Sequence, residues 1–231
     1  MQLFYCPEIL KGTHHLNIEE SRHCVKVLRK NIGDVIHLID GCGGFYEVMI
    51  NIASQKKVGF EVIKTWEEEK RPYKLHIGIA PTKNIDRFEW FLEKVTEIGI
   101  DEITPLFCDR SERKSIKKER LVKIILSATK QSLKAKTPQL NDAISFREFI
   151  SKQYDSQTLI AHCEDQSKES LKNIASSNST LLIGPEGDFS PEEIRLANER
   201  QFQSIHLGNA RLRTETAGIV ACHTVALQHE K

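Results

Sequence analysis

Two short segments near the end of the sequence hold residue types that suit the binding of a small polar molecule. The first, residues 184–190, reads Gly-Pro-Glu-Gly-Asp-Phe-Ser, and its two glycines permit positive φ and close approach of a ligand to the backbone. Ser190 is the expected N-cap of the following helix, and Glu193 completes a capping box with it. We therefore expect a short, stiff loop at a helix start, although an ordinary strand–turn–helix connection has the same local pattern.

The second segment, residues 207–217, concentrates polar groups at the start of the last predicted helix. Gly208 ends a predicted strand, and within residues 211–217 there are two arginines, two threonines and a glutamate. Such groups are costly to pack unless they bind something. The first turn of the helix adds free N–H groups and a positive dipole end. The segment is thus a second candidate for ligand binding, with an ion-paired helix start as the alternative.

Together the two segments predict a pocket for a flat heterocycle. Ligands of α/β folds bind at the carboxyl ends of the strands, where these loops lie. Their backbone N–H and C=O groups suit an adenine edge, with Ile183, Leu207 and Leu212 as apolar cover. A nucleoside triphosphate or dinucleotide is disfavoured, because there is no G-x-x-x-x-G-K-[ST] motif and no G-x-G-x-x-G after a strand. None of the six cysteines forms a C-x-x-C pair, so no metal is expected.

The elements that must position these loops alternate from residue 73 onward. Short apolar runs predict strands, and apolar residues at helical spacing predict the helices between them. This alternation favours a parallel sheet covered by helices on both faces. The predicted strands are residues 75–80, 103–107, 158–163, 179–183 and 204–207, and the predicted helices are 85–98, 117–134, 145–153, 168–175, 191–200 and 214–228.

The first part of the chain, residues 1–70, is instead β-rich. Predicted strands at 35–40, 44–52 and 57–66 are separated by turn-forming residues, and one helix is predicted at residues 18–30. A small barrel fits this pattern. Residues 67–72 are charged and end in proline, as expected of a linker. We therefore predict two domains, at residues 1–70 and 71–231.

The distribution of charge points to a polyanionic partner. The net charge of the 231 residues is only +1, but residues 110–136 contain ten Lys or Arg against two Glu. A second basic block lies at residues 22–30 and contains no acidic residue. Separate basic patches on a neutral protein suggest a nucleic acid, with solvated helix faces as the alternative. There is no membrane-spanning apolar run and no signal-like N-terminus, so we expect a cytoplasmic protein without a membrane partner.

The two segments resemble the motifs of a known family. Segments 183–190 and 207–217 are similar to the paired signature of the SPOUT superfamily, and more narrowly to the ribosomal RNA small-subunit methyltransferase E family, the 16S rRNA (uracil(1498)-N(3))-methyltransferases. The likeness covers nearly the whole chain in order. It extends to residues 23–29, 83–90, 94–99 and 110–111.

This resemblance implies more than the residue pattern does. The second domain would be a SPOUT-type trefoil-knotted parallel sheet, with S-adenosyl-L-methionine bound in a knot at about residues 158–228. The first would be a PUA-like β-barrel that binds RNA, and the protein would be a homodimer. Its reaction would be methylation of N3 of uridine 1498 in 16S ribosomal RNA, in the assembled small subunit. Another RNA target for the same fold, and a non-catalytic RNA-binding ribosome-assembly factor, are the alternatives.

The same resemblance and the residue chemistry assign candidate roles. Arg213 is expected to stabilise charge on a uracil oxygen and Glu215 to orient the base or accept a proton, unless both only hold the loop. The expected cofactor-binding residues are Ile183, Gly184, Pro185, Glu186, Gly187, Leu207, Gly208, Leu212, Arg213, Thr216 and Ala217. The expected RNA-binding residues are Arg22, His23, Lys26, Arg29, Lys83, Arg87, Arg110, Arg113 and Lys134. The sequence departs from the family pattern at Asp188, where glycine is more frequent.

Overall fold

The computed structural model describes residues 1–165 and 167–229, which form two compact units. The first unit contains residues 1–70 together with residues 126–137. The second contains residues 71–125 and the described chain from residue 138 onward. Within the described residues, no helix has the length and apolar character needed to span a membrane.

The first unit is built on a four-stranded sheet. Its strands, in spatial order, are β1 (Leu3–Tyr5), β2 (Val35–Ile39), β3 (Gly44–Ala53) and β4 (Val58–Glu67). β1 is parallel to β2, whereas the β2–β3 and β3–β4 pairs are antiparallel. Two register shifts between β3 and β4 mark irregularities of the kind that bend a strand pair. The buried side chains of this unit include Phe4, Leu38, Val48, Ile50 and Phe60.

The helix of the first unit is shorter than the prediction of residues 18–30. Helix α1 (Ile18–Arg22) begins at Asn17, whose side chain accepts a hydrogen bond from the Glu20 backbone N–H at 2.8 Å. A π-helical turn follows at His23–Val27, and Arg29 has a φ of 55°. The prediction was wrong beyond Leu28, because a residue with positive φ ends a right-handed helix.

The second unit contains a parallel sheet. Its longer strands are β5 (Lys74–Ile79), β6 (Glu102–Phe107), β9 (Gln157–Ala161), β11 (Asn178–Ile183) and β12 (Gln203–His206). Three two-residue strands, β7 (Gln139–Leu140), β8 (Ile144–Ser145) and β10 (Glu169–Ser170), lie at its margins. The order is β10-β12-β9-β11-β5-β6-β7, with β8 beside β6, and each of these pairings is parallel. This confirms the parallel α/β sheet expected from the alternating sequence.

Helices cover both faces of this sheet. Side chains of α2 (Ile85–Ile98), α5 (Leu171–Ile174) and α7 (Thr214–His229) belong to one buried apolar cluster. Side chains of α4 (Phe146–Ser151) and α6 (Pro191–Glu199) belong to a second cluster. Successive residues of β9 alternate between the two clusters, as expected for a strand buried on both faces. The remaining helix, α3, spans Lys118–Gln131.

Candidate functional site

A cavity of about 800 Å³ lies where three neighbouring parallel strands, β9, β11 and β12, end. Its size falls in the range of about 300–1,000 Å³ that is typical of small-molecule sites. The loops around residues 184–188 and 207–213 both line it, so the two segments singled out in the sequence do meet. The lining residues from the predicted cofactor set are Ile183, Gly184, Pro185, Glu186, Gly187, Leu207, Gly208, Leu212, Arg213 and Ala217. Thr216 stands on the first turn of α7 but is not one of the lining residues.

The loop at residues 184–190 begins with a close backbone approach rather than a left-handed turn. Neither loop glycine uses the positive φ that glycine permits, and Asp188, with a φ of 63°, is the residue of this loop that adopts it. Gly184 is needed for another reason. A Cβ atom there would lie 3.1 Å from the Phe189 backbone N, so a side chain would fit only if a neighbouring group moved slightly.

Asp188 links this loop to the segment after β9. Its two carboxylate oxygens accept hydrogen bonds from the backbone N–H of Phe189 at 2.8 Å and of Cys163 at 2.7 Å. Its own N–H donates to the Pro185 carbonyl at 2.9 Å. Both segments line the cavity, so one side chain fixes the relative position of two of its walls.

The capping box predicted at the start of α6 is confirmed. The Ser190 hydroxyl accepts from the Glu193 N–H at 3.2 Å, and the Glu193 carboxylate accepts from the Ser190 N–H at 2.8 Å. The other carboxylate oxygen of Glu193 accepts from the Asp109 N–H at 2.9 Å. The buried Glu193 therefore links the end of the loop at residues 184–190 to the segment that follows β6.

Two further contacts hold the loop at residues 184–190. Glu186 accepts a hydrogen bond from the Lys83 backbone N–H at 2.9 Å. The Arg110 guanidinium donates to the carbonyl oxygens of Gly187 at 2.9 Å and Phe189 at 3.3 Å. The sequence predicted that Arg110 contacts RNA. In the structure this guanidinium contacts the backbone of the pocket loop.

The second loop is joined to the first at the start of α7. Gly208 has a φ of 120°, and its N–H donates to Nδ1 of His206 at 3.2 Å. The Thr214 hydroxyl donates to the Gly184 carbonyl oxygen at 3.1 Å, and this hydrogen bond is buried. The two loops therefore form one wall, as the sequence argument required.

The catalytic candidates Arg213 and Glu215 stand on either side of this contact. Arg213 is exposed and lines the cavity, whereas Glu215 is only 5% exposed. The Oε1 atom of Glu215 lies 3.9 Å from Nε of Arg87, and its Oε2 atom has no hydrogen-bond partner among the described residues. A buried carboxylate with one unsatisfied oxygen is costly unless a ligand or a moving side chain satisfies it.

Sequence reasoning missed the wall formed after β9. Ala161, His162, Cys163 and Lys168 line the cavity, although none was a candidate. A usable signal existed: residues 158–163 were predicted as a strand of the same parallel sheet, and the carboxyl ends of parallel strands share one edge. Asp188, Arg211 and Thr214 also line the cavity.

The remaining RNA candidates of the second unit are engaged in protein contacts. Arg113 donates to the carbonyl oxygens of Thr82 at 2.9 Å and Lys83 at 2.6 Å. The Lys83 ammonium pairs with Glu112 at 2.8 Å on the surface. These bonds stabilise the segment between β5 and α2.

In the first unit, the candidates Arg22, Lys26 and Arg29 are exposed. His23 and Lys134 are half-buried, and Nε2 of His23 lies 3.1 Å from the amide nitrogen of Gln2. No group of three His, Cys, Asp or Glu residues suited to a metal ion occurs in the part of the chain that the structure describes.

Comparison with known proteins agrees with this arrangement. An RNA methyltransferase domain family matches residues 69–226, and an RNA methyltransferase PUA domain family matches residues 16–63. The chain is 31% identical to ribosomal RNA small subunit methyltransferase E of Rickettsia conorii, with 94% of this chain and 88% of the relative covered. It is 32% identical to the Bacillus subtilis protein of that name, with 94% and 91% covered.

Solved structures give the same result. A probable rRNA-methyltransferase from Porphyromonas gingivalis matches with a TM-score of 0.92 and 38% identity, over 99% of this chain and 98% of that one. Ribosomal RNA small subunit methyltransferase E from Neisseria gonorrhoeae, bound to S-adenosyl methionine, matches with a TM-score of 0.83 and 28% identity, over 96% and 95%. The SPOUT-type α/β fold with a PUA domain before it is thereby confirmed. The chain belongs to the ribosomal RNA small subunit methyltransferase E family.

Proposed function

We propose that this protein transfers a methyl group from S-adenosyl-L-methionine to N3 of a uridine in 16S ribosomal RNA, at position 1498, in the assembled small subunit. The observation that carries the proposal is the cavity at the ends of β9, β11 and β12, where both family motifs meet. Relatives from Legionella pneumophila and Neisseria gonorrhoeae were solved with this cofactor bound.

The residues of the cavity fit such a cofactor. Apolar side chains of Ile183, Leu207 and Leu212 can cover an adenine ring, while loop backbone groups supply polar contacts at its edge. Glu215 follows the lining residue Thr214 without lining the cavity itself, and its buried Oε2 atom has no hydrogen-bond partner among the described residues. When bound, the cofactor supplies a methyl group attached to a positively charged sulfur.

The protein must also make the acceptor nitrogen available. N3 of uracil carries a proton at neutral pH, so its lone pair is exposed only as that proton leaves. Arg213 is exposed and lines the cavity, and in this proposal its guanidinium stabilises negative charge on a uracil carbonyl oxygen. Buried Glu215, whose Oε1 atom lies 3.9 Å from Nε of Arg87, is the proposed group that orients the base or accepts the proton. Fixed alignment of donor and acceptor lowers the remaining barrier.

The wider assignments follow the family and remain part of this proposal. The PUA-like unit grips RNA through phosphate contacts from its exposed cations, Arg22, Lys26 and Arg29. The chain works as a cytoplasmic homodimer, and its second unit is threaded as a trefoil knot. Chemical cross-linking tests the homodimer, and a refolding assay that is sensitive to knotting tests the knot.

Methylation of isolated small subunits tests the central claim. Subunits from a bacterium that lacks this modification are incubated with the purified protein and labelled cofactor, and the RNA is digested and analysed by mass spectrometry. We expect a single 3-methyluridine in the fragment that contains position 1498. Label in transfer RNA or on a ribose would indicate another RNA target. Binding to subunits without any methylated product would indicate an assembly factor.

A further inference from the structure

His162 is a buried histidine in the cavity wall that the proposed chemistry leaves without a role. It is 6% exposed, and neither ring nitrogen has a hydrogen-bond partner among the residues that the structure describes. Buried polar atoms are nearly always satisfied, so a side chain with two unsatisfied nitrogens calls for an explanation. Because His162 lines the cavity, a ligand bound there would be within reach of its ring.

The backbone around His162 is held on both sides. The Lys168 ammonium donates to the His162 carbonyl oxygen at 2.8 Å and to the Glu164 carbonyl oxygen at 2.6 Å. The next residue, Cys163, donates its N–H to Asp188 at 2.7 Å. These contacts fix the start of the segment after β9, so the imidazole is presented from a defined position, as binding groups require.

The charge state of the ring suits a neutral, hydroxyl-bearing partner. Burial, assisted by the Lys168 ammonium, lowers the pKa of His162 below its ordinary value of 6.5, against the opposing effect of Asp188 and Glu164. The ring is therefore neutral at pH 7 and carries one donor and one acceptor. A neutral ring also avoids repulsion of a cationic sulfonium in the same cavity.

β9 lies between β11 and β12 in the sheet, so His162 follows the middle of the three strands whose ends form the cavity. The two flanking strands lead into the two family loops. The ribose of an adenosylated ligand carries hydroxyls that both donate and accept hydrogen bonds, which matches the unpaired donor and acceptor of a neutral imidazole.

We propose that His162 binds the ribose hydroxyls of the nucleoside cofactor; this inference rests on the proposed function. His162 is thus a binding residue that recognises the sugar, in addition to the loop backbone that recognises the base. Lys168 and Asp188 are positioning residues that act through the backbone of residues 162–164.

Binding of cofactor analogues by the full-length protein tests this inference. S-adenosylhomocysteine and its 2′-deoxy and 3′-deoxy analogues are titrated by calorimetry into the wild type, His162→Phe and His162→Gln. We expect the wild type to lose about tenfold in affinity for at least one deoxy analogue, the loss typical of leaving one buried polar group unpaired. His162→Phe should bind the parent compound about tenfold more weakly, without distinguishing the three ligands. His162→Gln, which retains a donor and an acceptor, should recover part of the discrimination.

His223→Phe is the control, because His223 is exposed on α7 and does not line the cavity. This variant should still discriminate among the three ligands. Thermal unfolding curves of all variants check that the fold is intact. Two results with His162→Phe would overturn this inference but leave the proposed function intact. The variant could still discriminate among the three ligands, or it could bind S-adenosylhomocysteine as tightly as the wild type does. Failure of the wild type to bind S-adenosylhomocysteine would overturn the proposed cofactor itself.

Discussion

Asp188 shows how one residue can carry two structural tasks in the pocket. Its positive φ of 63° is costly for most side chains, although aspartate tolerates it better than most. Its carboxylate offsets that cost with two hydrogen bonds to backbone N–H groups. The sequence marked Asp188 as a departure from the family pattern, but the partner Cys163, a residue distant in sequence, could not be inferred.

Replacing Asp188 separates backbone strain from hydrogen bonding. Asp188→Ala keeps an unfavourable φ and loses both bonds, so we expect the free energy of unfolding to fall by about 2–3 kcal/mol. Asp188→Gly loses the same bonds but relieves the strain, and its loss should be smaller by about 1 kcal/mol. Denaturant titration measures the free energy of unfolding of both variants. Calorimetry should show that each variant binds S-adenosylhomocysteine more weakly than the wild type does. An alanine variant as stable as the wild type would contradict this account.

Arg213 and Glu215 are tested by turnover. Arg213→Ala should lower kcat about 100-fold if its charge stabilises the developing oxyanion. Arg213→Lys should recover only part, because an ammonium lacks the planar fork of a guanidinium. Glu215→Gln should also lower kcat, because the amide keeps the shape of the side chain but lacks the carboxylate charge that the proposed role requires. Arg195→Ala, at an exposed arginine of α6 that does not line the cavity, is the control. Near-normal turnover of Arg213→Ala would remove this residue from the mechanism.

At the scale of elements, the sequence predicted what depends on local pattern. The capping box at Ser190 and Glu193 was foreseen because all of its atoms lie within four residues. The strands β7, β8 and β10 were not, because two residues are too few to show a period. The break after α1 depends on the π-helical turn and on the backbone of Arg29, which apolar spacing does not reveal. The predicted strand at residues 158–163 indicated on which edge of the sheet His162 lies, but not that β9 lies between β11 and β12.

The contact between α2 and α7 is another feature that sequence pattern could not locate. Gly218 faces Phe91, and a Cβ atom at Gly218 would lie 2.5 Å from its ring and 3.0 Å from Ile79. Gly218→Ala should therefore destabilise the fold by about 1–3 kcal/mol, even though alanine gains about 1 kcal/mol in helix propensity. Thermal or denaturant unfolding measures the change. The double variant Gly218→Ala/Phe91→Leu should recover part of the loss; strictly additive effects would show that the two residues do not clash.

At the scale of the whole molecule, the structure shows that the number of Lys and Arg residues in a segment does not give the number of cations available to bind RNA. Many cations between residues 110 and 136 are engaged within the protein: Arg120 pairs with Glu89 at 2.6 Å, and Lys130 pairs with Glu20 at 2.7 Å. Arg110 and Arg113 donate to backbone carbonyls. The distribution of charge along the sequence predicted basic patches, but it could not distinguish phosphate-binding groups from groups that hold loops, because that distinction depends on tertiary contacts.

The salt dependence of RNA binding separates these two classes of cation. Arg22, Lys26 and Arg29 are exposed, and if each contacts one phosphate, the triple alanine variant should lower the slope of log affinity against log salt by about 2–3. Fluorescence anisotropy with a fragment of 16S RNA at several salt concentrations gives this slope. Arg195→Ala is the control, since Arg195 already pairs with Glu192 and Glu199. Arg110→Ala should mainly weaken cofactor binding, because it frees the loop at Gly187. An unchanged slope in the triple variant would mean that RNA is held by a different surface.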